Sequence, residues 1–153
     1  MDGHEHAAGL PVPAPETALT APSADSALTS LERDYLMVAI FVRIQHLQFD
    51  EARTLITALI AAGEKTPDLL FARAVVENAL ADHEAALNTV RELERLAPAV
   101  ITAKSKVTRR TRMRAYIKAR ATFALAGELD EEGRAALDFY LRHGQKKTKR
   151  KSR

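Results

Sequence analysis

The chain holds five histidines, and none sits in a catalytic setting. His4 and His6, with Asp2 and Glu5, offer a loose donor set for a divalent ion near the N-terminus, but no apolar period there would fix them in place. His46 and His83 fall beside expected helix turns, where packing is the expected role. His143 stands in a final helical turn ahead of Gly144, where a cation suits the helix dipole. Asp130, Glu131 and Glu132 read as ordinary charge placement in the first turn of a helix, not as a carboxylate site. With no cysteine, thiolate nucleophiles, thiolate metal sites and disulfides are all excluded. The chain has no Gly-rich phosphate loop, no HExxH and no GxSxG. The expectation is a protein that is not an enzyme and has no metal site and no cofactor.

Binding is the chemistry left, and charge is the first clue to it. Residues 1–94 hold 6 Lys/Arg against 15 Asp/Glu, whereas residues 95–153 hold 17 against 5. No acid lies between Glu94 and Glu128. Such polarity bears on partners and leaves the fold open. No apolar run approaches the ~20 residues of a membrane span. The start of the chain also lacks the basic and apolar segments of a signal peptide, so a cytoplasmic protein is expected.

The elements that must position any binding surface are helical. Residues 1–28 are rich in Ala, Pro, Ser and Thr, with four of the six prolines between Pro11 and Pro22, and read as a disordered leader. Residues 145–153 carry six cations and no apolar side chain, a solvated tail. Between them, Leu31, Tyr35, Val38, Ala39 and Val42 recur at helical spacing, with Thr29 and Glu32 set for a capping box. Leu55, Ile56, Leu59 and Ile60 follow, then Gly63 and Pro67 interrupt. Further helices are expected over 68–80, 84–96, 109–125 and 132–143, and no stretch alternates like a strand. The class is all-α, with one helical domain over 29–144.

The helices repeat. Gln48-Phe49-Asp50-Glu51-Ala52 matches Asp82-His83-Glu84-Ala85-Ala86. The step from Ala52 to Ala86 equals the tetratricopeptide period of about 34 residues. Ala74 and Ala86 then fall where the two helices of one repeat cross, where a larger side chain costs about 1–3 kcal/mol. A third copy, with Tyr116, Ala119, Phe123 and Gly127, ends at Gly133 after an insertion in 99–111 that is expected to lengthen its first helix. There is one extra residue before Gly133. Departures are Ile40 at a small position, Arg43 where an aromatic is usual, three extra residues before Pro67, and His83 where the repeat favours Tyr. The expectation is three degenerate tetratricopeptide-like repeats in a short right-handed solenoid.

In such a stack the first helices of each pair line a concave face. Repeat positions place Met37, Phe41 and Ile44, then Phe71, Val75 and Asn78, then Ile117 and Ala121 on it, an apolar stripe suited to a partner's helix or extended segment. A second candidate is the basic block Lys104, Lys106, Arg109, Arg110, Arg112, Arg114, Lys118 and Arg120. Within it Lys106, Arg109, Arg110 and Arg114 share one helical face. Its counterpart is nucleic acid or an acidic protein surface; no aromatic interleaves residues 109–114 to stack on bases.

Three degenerate repeats, a short leader and a run from Ala121 to Asp130 followed by Tyr140-Leu141 resemble the small tetratricopeptide chaperones of bacterial type III secretion, above all the C-terminal repeat of the YscY type. The resemblance covers about residues 33–143. The basic insertion and cationic tail depart from it. It implies a non-catalytic cytoplasmic chaperone that holds a small secreted or export-apparatus protein in its groove and escorts it to the export gate. The alternatives are a nucleic-acid-associated adaptor working through the 104–120 block, and a scaffold that homodimerises through its first repeat.

Overall fold

The computed structural model describes residues 27–100, 102 and 106–144. The leader's residues 1–26, with His4 and His6, the tail 145–153, and Lys104 lie outside the described residues. Six helices follow one another: α1 (Ser30–Gln45), α2 (Phe49–Ala61), α3 (Pro67–Ala79), α4 (His83–Leu96), α5 (Arg109–Ala126) and α6 (Glu131–Gly144). No strand occurs among the described residues.

Most of the starts are fixed by local side chains. Glu32 N–H donates to the Thr29 hydroxyl (3.2 Å), while the Glu32 carboxylate accepts from Thr29 N–H (2.8 Å), completing the expected box. That backbone donor holds the exposed Glu32 carboxyl below its usual range. Thr66 with Pro67 opens α3, Asp82 opens α4 and Thr108 opens α5. The Asp130 carboxylate accepts from Gly133 N–H at 2.7 Å at the start of α6. Only α2 begins without a side-chain cap.

The turn inside each of the first two pairs is built identically. Leu47 and Ala81, one repeat period apart, both take the left-handed conformation at φ 59°. The next N–H then donates back into the preceding helix: Gln48 to Arg43 O and Asp82 to Glu77 O, both at 2.9 Å. Two non-glycine residues bear this at a cost of roughly 1–2 kcal/mol each. In the third pair Gly127 (φ 73°) takes the left-handed role, and the turn is longer.

Buried positions follow the same spacing: Ile40 and Ala74, Ala52 and Ala86, Ile56 and Val90, Leu59 and Leu93 are all buried. Each helix packs on the next. Close approaches also join α1 to α3 and α3 to α5, with none between the backbones of the even-numbered helices. One core cluster gathers Ile40, Ala52, Ile56, Leu59, Leu69, Ala72 and Val76, and Leu28 packs against it. A smaller cluster joins Ala74, Ala86, Val90 and Ile117. In α6 only Gly133 is buried; a Cβ there would meet Leu129 Cδ2 at 3.0 Å and Thr122 Cγ2 at 3.2 Å. The close crossing therefore demands a minimal residue where the other pairs use alanine.

One expectation needs correction here. Most of the insertion does not extend α5 as foreseen: Thr108 caps a helix starting at Arg109, so residues 99–108 precede it and only 109–111 join it. On α1 the recurring Leu31, Tyr35, Val38 and Val42 are exposed, while Leu36, Met37, Ile40, Phe41 and Ile44 pack inward. Two apolar stripes wind around this helix, and the inner stripe is the one α2 and α3 cover.

Candidate functional site

The face shared by α1, α3 and the first turns of α5 brings the two sequence candidates together. Phe41 and Phe71 are half-buried, and the Arg110 guanidinium carbon lies 5.8 Å from the first ring centroid and 5.2 Å from the second. At this distance from the ring faces the cation is attracted by both quadrupoles. The Asp68 carboxylate also binds the Arg110 guanidinium. Thr66 and Thr108 are the N-caps of α3 and α5, so Asp68 and Arg110 occupy the same position, second after each cap. A second pair keeps the same register between the two helices: Arg120 donates to Asn78 O and Oδ1, each at 3.2 Å. Hence α3 and α5 lie side by side with a polar clasp at each end.

The predicted lining divides. Met37, Phe41 and Ile44 are half-buried against the larger cluster, Val75 against the smaller, and Phe71 shares Arg110 with Phe41. Asn78, Ile117 and Ala121 offer almost nothing to a partner, which corrects their assignment to the groove. Ile117 is fully buried with Ala74, Ala86 and Val90. Ala121 follows Ala74 at the interval that also separates Ala86 from Gly133, and it is likewise fully buried, so it stands at a helix crossing. Asn78 is 8% exposed and receives Arg120.

The basic block is largely spent inside the fold. Besides Arg110 and Arg120, Arg112 stacks over Tyr140 at 5.1 Å. Arg114 donates to Ala97 O at 3.0 Å, and burial lowers its pKa. Lys118 bridges Glu94 (2.9 Å) and Glu132, tying α5 to both neighbours. Burial would push this ammonium down, but hydrogen bonds from it to Glu132 and Glu94 outweigh that and leave its pKa raised. Lys106 and Arg109 are exposed, and Lys106 precedes the helix, so the four expected cations do not form one helical face.

The histidines are placed just as unevenly. His46 is exposed at the end of α1, against the expected packing role, whereas His83 is half-buried with Nδ1 buried and unpartnered. His143 is exposed and stacks on Phe139 at 4.5 Å. Among the described residues no group of three or more His, Asp or Glu is placed to hold a metal ion. No described helix is long and apolar enough to cross a membrane.

The Asp68–Arg110 clasp over the two phenylalanines was missed by sequence reasoning, which kept the groove and the basic block apart. The available signal was the shared cap spacing, Thr66 to Asp68 and Thr108 to Arg110, with opposite charges at matched positions. No family model, curated protein or solved structure matches the chain.

Proposed function

We propose that the chain is a non-enzymatic binding protein, a short right-handed stack of three tetratricopeptide-like pairs that takes a small protein partner on the Met37–Phe41–Phe71 face. The repeat is supported by left-handed turns and buried positions that match at one repeat period. The observation that carries the binding role is Arg110 lying over Phe41 and Phe71. It makes an apolar face with one cation at its centre and Asp68 beside it, complementary to an amphipathic segment bearing a carboxylate. By resemblance the role is that of a cytoplasmic chaperone for a small secreted or export-apparatus protein in type III secretion. Spending five cations of the basic block on internal contacts favours this role over nucleic-acid binding.

Ionic strength tests it. The protein is used as bait in its own cytoplasm at low and high salt, and the retained material is identified by mass spectrometry. One small protein held at high salt is expected, because apolar burial is little screened. Recovery of nucleic acid that washes away with salt would overturn the proposal, since phosphate contacts weaken steeply with ionic strength.

A further inference from the structure

Among the described residues the outer stripe of α1 has no partner. Leu31, Tyr35, Val38 and Val42 are 78%, 73%, 62% and 44% exposed, although each is large and apolar. They follow one another at spacings of four, three and four, the narrow seam of a two-helix coiled coil. With Leu36, Met37, Ile40, Phe41 and Ile44 packed inward, α1 is apolar on two sides, as an interior helix is.

We propose that this face pairs with the same face of a second copy of the chain, α1 lying antiparallel to α1 about a two-fold axis between Tyr35 and Val38. Leu31 then opposes the second copy's Val42, and Tyr35 its Val38. Charge selects both occupant and direction. The acids Glu32 and Asp34 lie in the first half of the helix and Arg43, which donates to Gln48 Oε1 at 2.9 Å and keeps its charge, in the second, while Arg33 is turned onto Glu64 at 2.7 Å. Antiparallel pairing sets acidic half against basic half and opposes the helix dipoles; parallel pairing sets acids against acids. The contact is self-complementary, so it closes at two copies. Residues 1–26 carry four prolines between Pro11 and Pro22, a sequence ill suited to supply a seam helix. Met37 and Phe41 lie roughly 100° around the helix from Val38 and Val42, so pairing leaves the proposed binding face open.

Sedimentation of the full chain across the micromolar range tests this. A dimer is expected, converted to monomer by Tyr35→Glu with Val38→Glu at unchanged helicity, since both side chains are exposed in the single copy; the melting temperature should fall only by what association contributes. Arg43→Glu should raise the dissociation constant about tenfold, equivalent to about 1.4 kcal/mol. Because the chain has no cysteine, Val38→Cys gives a clean reporter that should cross-link under oxidation, whereas Leu31→Cys should not. A monomer at every concentration, a dimer that survives the double glutamate variant, or cross-linking through Leu31→Cys would each overturn the proposal. None of these results bears on capture at Phe41 and Phe71.

Discussion

The first two helix pairs and the third are joined by different forces. Across α1–α4 the crossings are mainly apolar, with Ile40, Ile56, Leu59, Leu69, Val76 and Val90 essentially without solvent and one buried polar contact, the Thr89 hydroxyl donating to Glu77 at 2.6 Å. The third pair contributes Ile117, Ala119, Ala121 and Gly133 to the interior and no large buried side chain from α6. Beside the apolar contact of Ile117 with Ala74, Ala86 and Val90, its attachments are polar and charged: Lys118 to Glu94 and Glu132, Arg120 to Asn78, Arg110 to Asp68 and Arg114 to Ala97 O. An apolar crossing holds at any salt concentration and moderate pH, whereas a charged one responds to both. The proposed binding face spans the two regions, since Phe41 and Phe71 belong to the first and Arg110 to the second.

The contrast breaks most sharply in the core. Leu59→Ala should lower unfolding free energy by about 2–5 kcal/mol in denaturant titration, because a fully buried leucine leaves a cavity. Leu137→Ala, at a half-buried site in α6, should cost well under that. Equal costs would mean the third pair carries a core of its own.

Lys118→Met comes next, at about 1.5 kcal/mol, because Glu94 and Glu132 keep access to water once their cation is gone. Amide exchange should show the loss in α5 and α6 while α2–α4 keep their protection. The sign of the pH response follows from the raised pKa of Lys118. Its contribution is fully present below the ordinary lysine value of about 10.4 and is lost as pH rises through the higher folded value. Alkali should therefore loosen the third pair before the first two.

Caps should cost the two regions alike. Thr66→Ala and Thr108→Ala each remove the hydroxyl that accepts from Leu69 or Thr111 N–H, worth about 1 kcal/mol in thermal melts. A silent Thr108→Ala would show that residues before α5, not its cap, fix where it starts. The smallest effect belongs to Lys65 and Glu92. The Lys65 hydrogen bond holds the Glu92 carboxyl below its usual range despite its exposure to water. That contribution is present above the ordinary carboxylate range and is lost as pH falls through the lowered value. Lys65→Ala should shift an acid titration only slightly.

The helices were legible because caps and breakers are local. Thr29 with Glu32, Pro67, Gly127 and the alanines spaced at one repeat period announced where helices begin, end and cross. The left-handed Leu47 and Ala81 were not legible, since neither residue type favours that conformation. The faces of α1 were undecidable from spacing, because both of its stripes are apolar and only the positions of α2 and α3 choose between them. Ile117 and Ala121 were assigned to the lining because the repeat register on α5 was set one residue off: Ala121 and Gly133 are spaced as Ala74 and Ala86 are, so Ala121 takes the crossing position and not the groove position beside it. Arg110 looked like part of a solvated basic run, and its place over Phe41 and Phe71 depends on helices far from it in sequence.

The most direct measurement is retention of the captured protein at high salt by wild type, by Phe41→Glu with Phe71→Glu, and by Arg110→Glu. Circular dichroism on all three checks that the helices persist. Loss of capture in both variants with helicity kept is the predicted result, with Arg110→Glu failing because a carboxylate replaces the cation at the centre of the face. Undiminished capture by folded variants would contradict the account and place the partner elsewhere on the molecule.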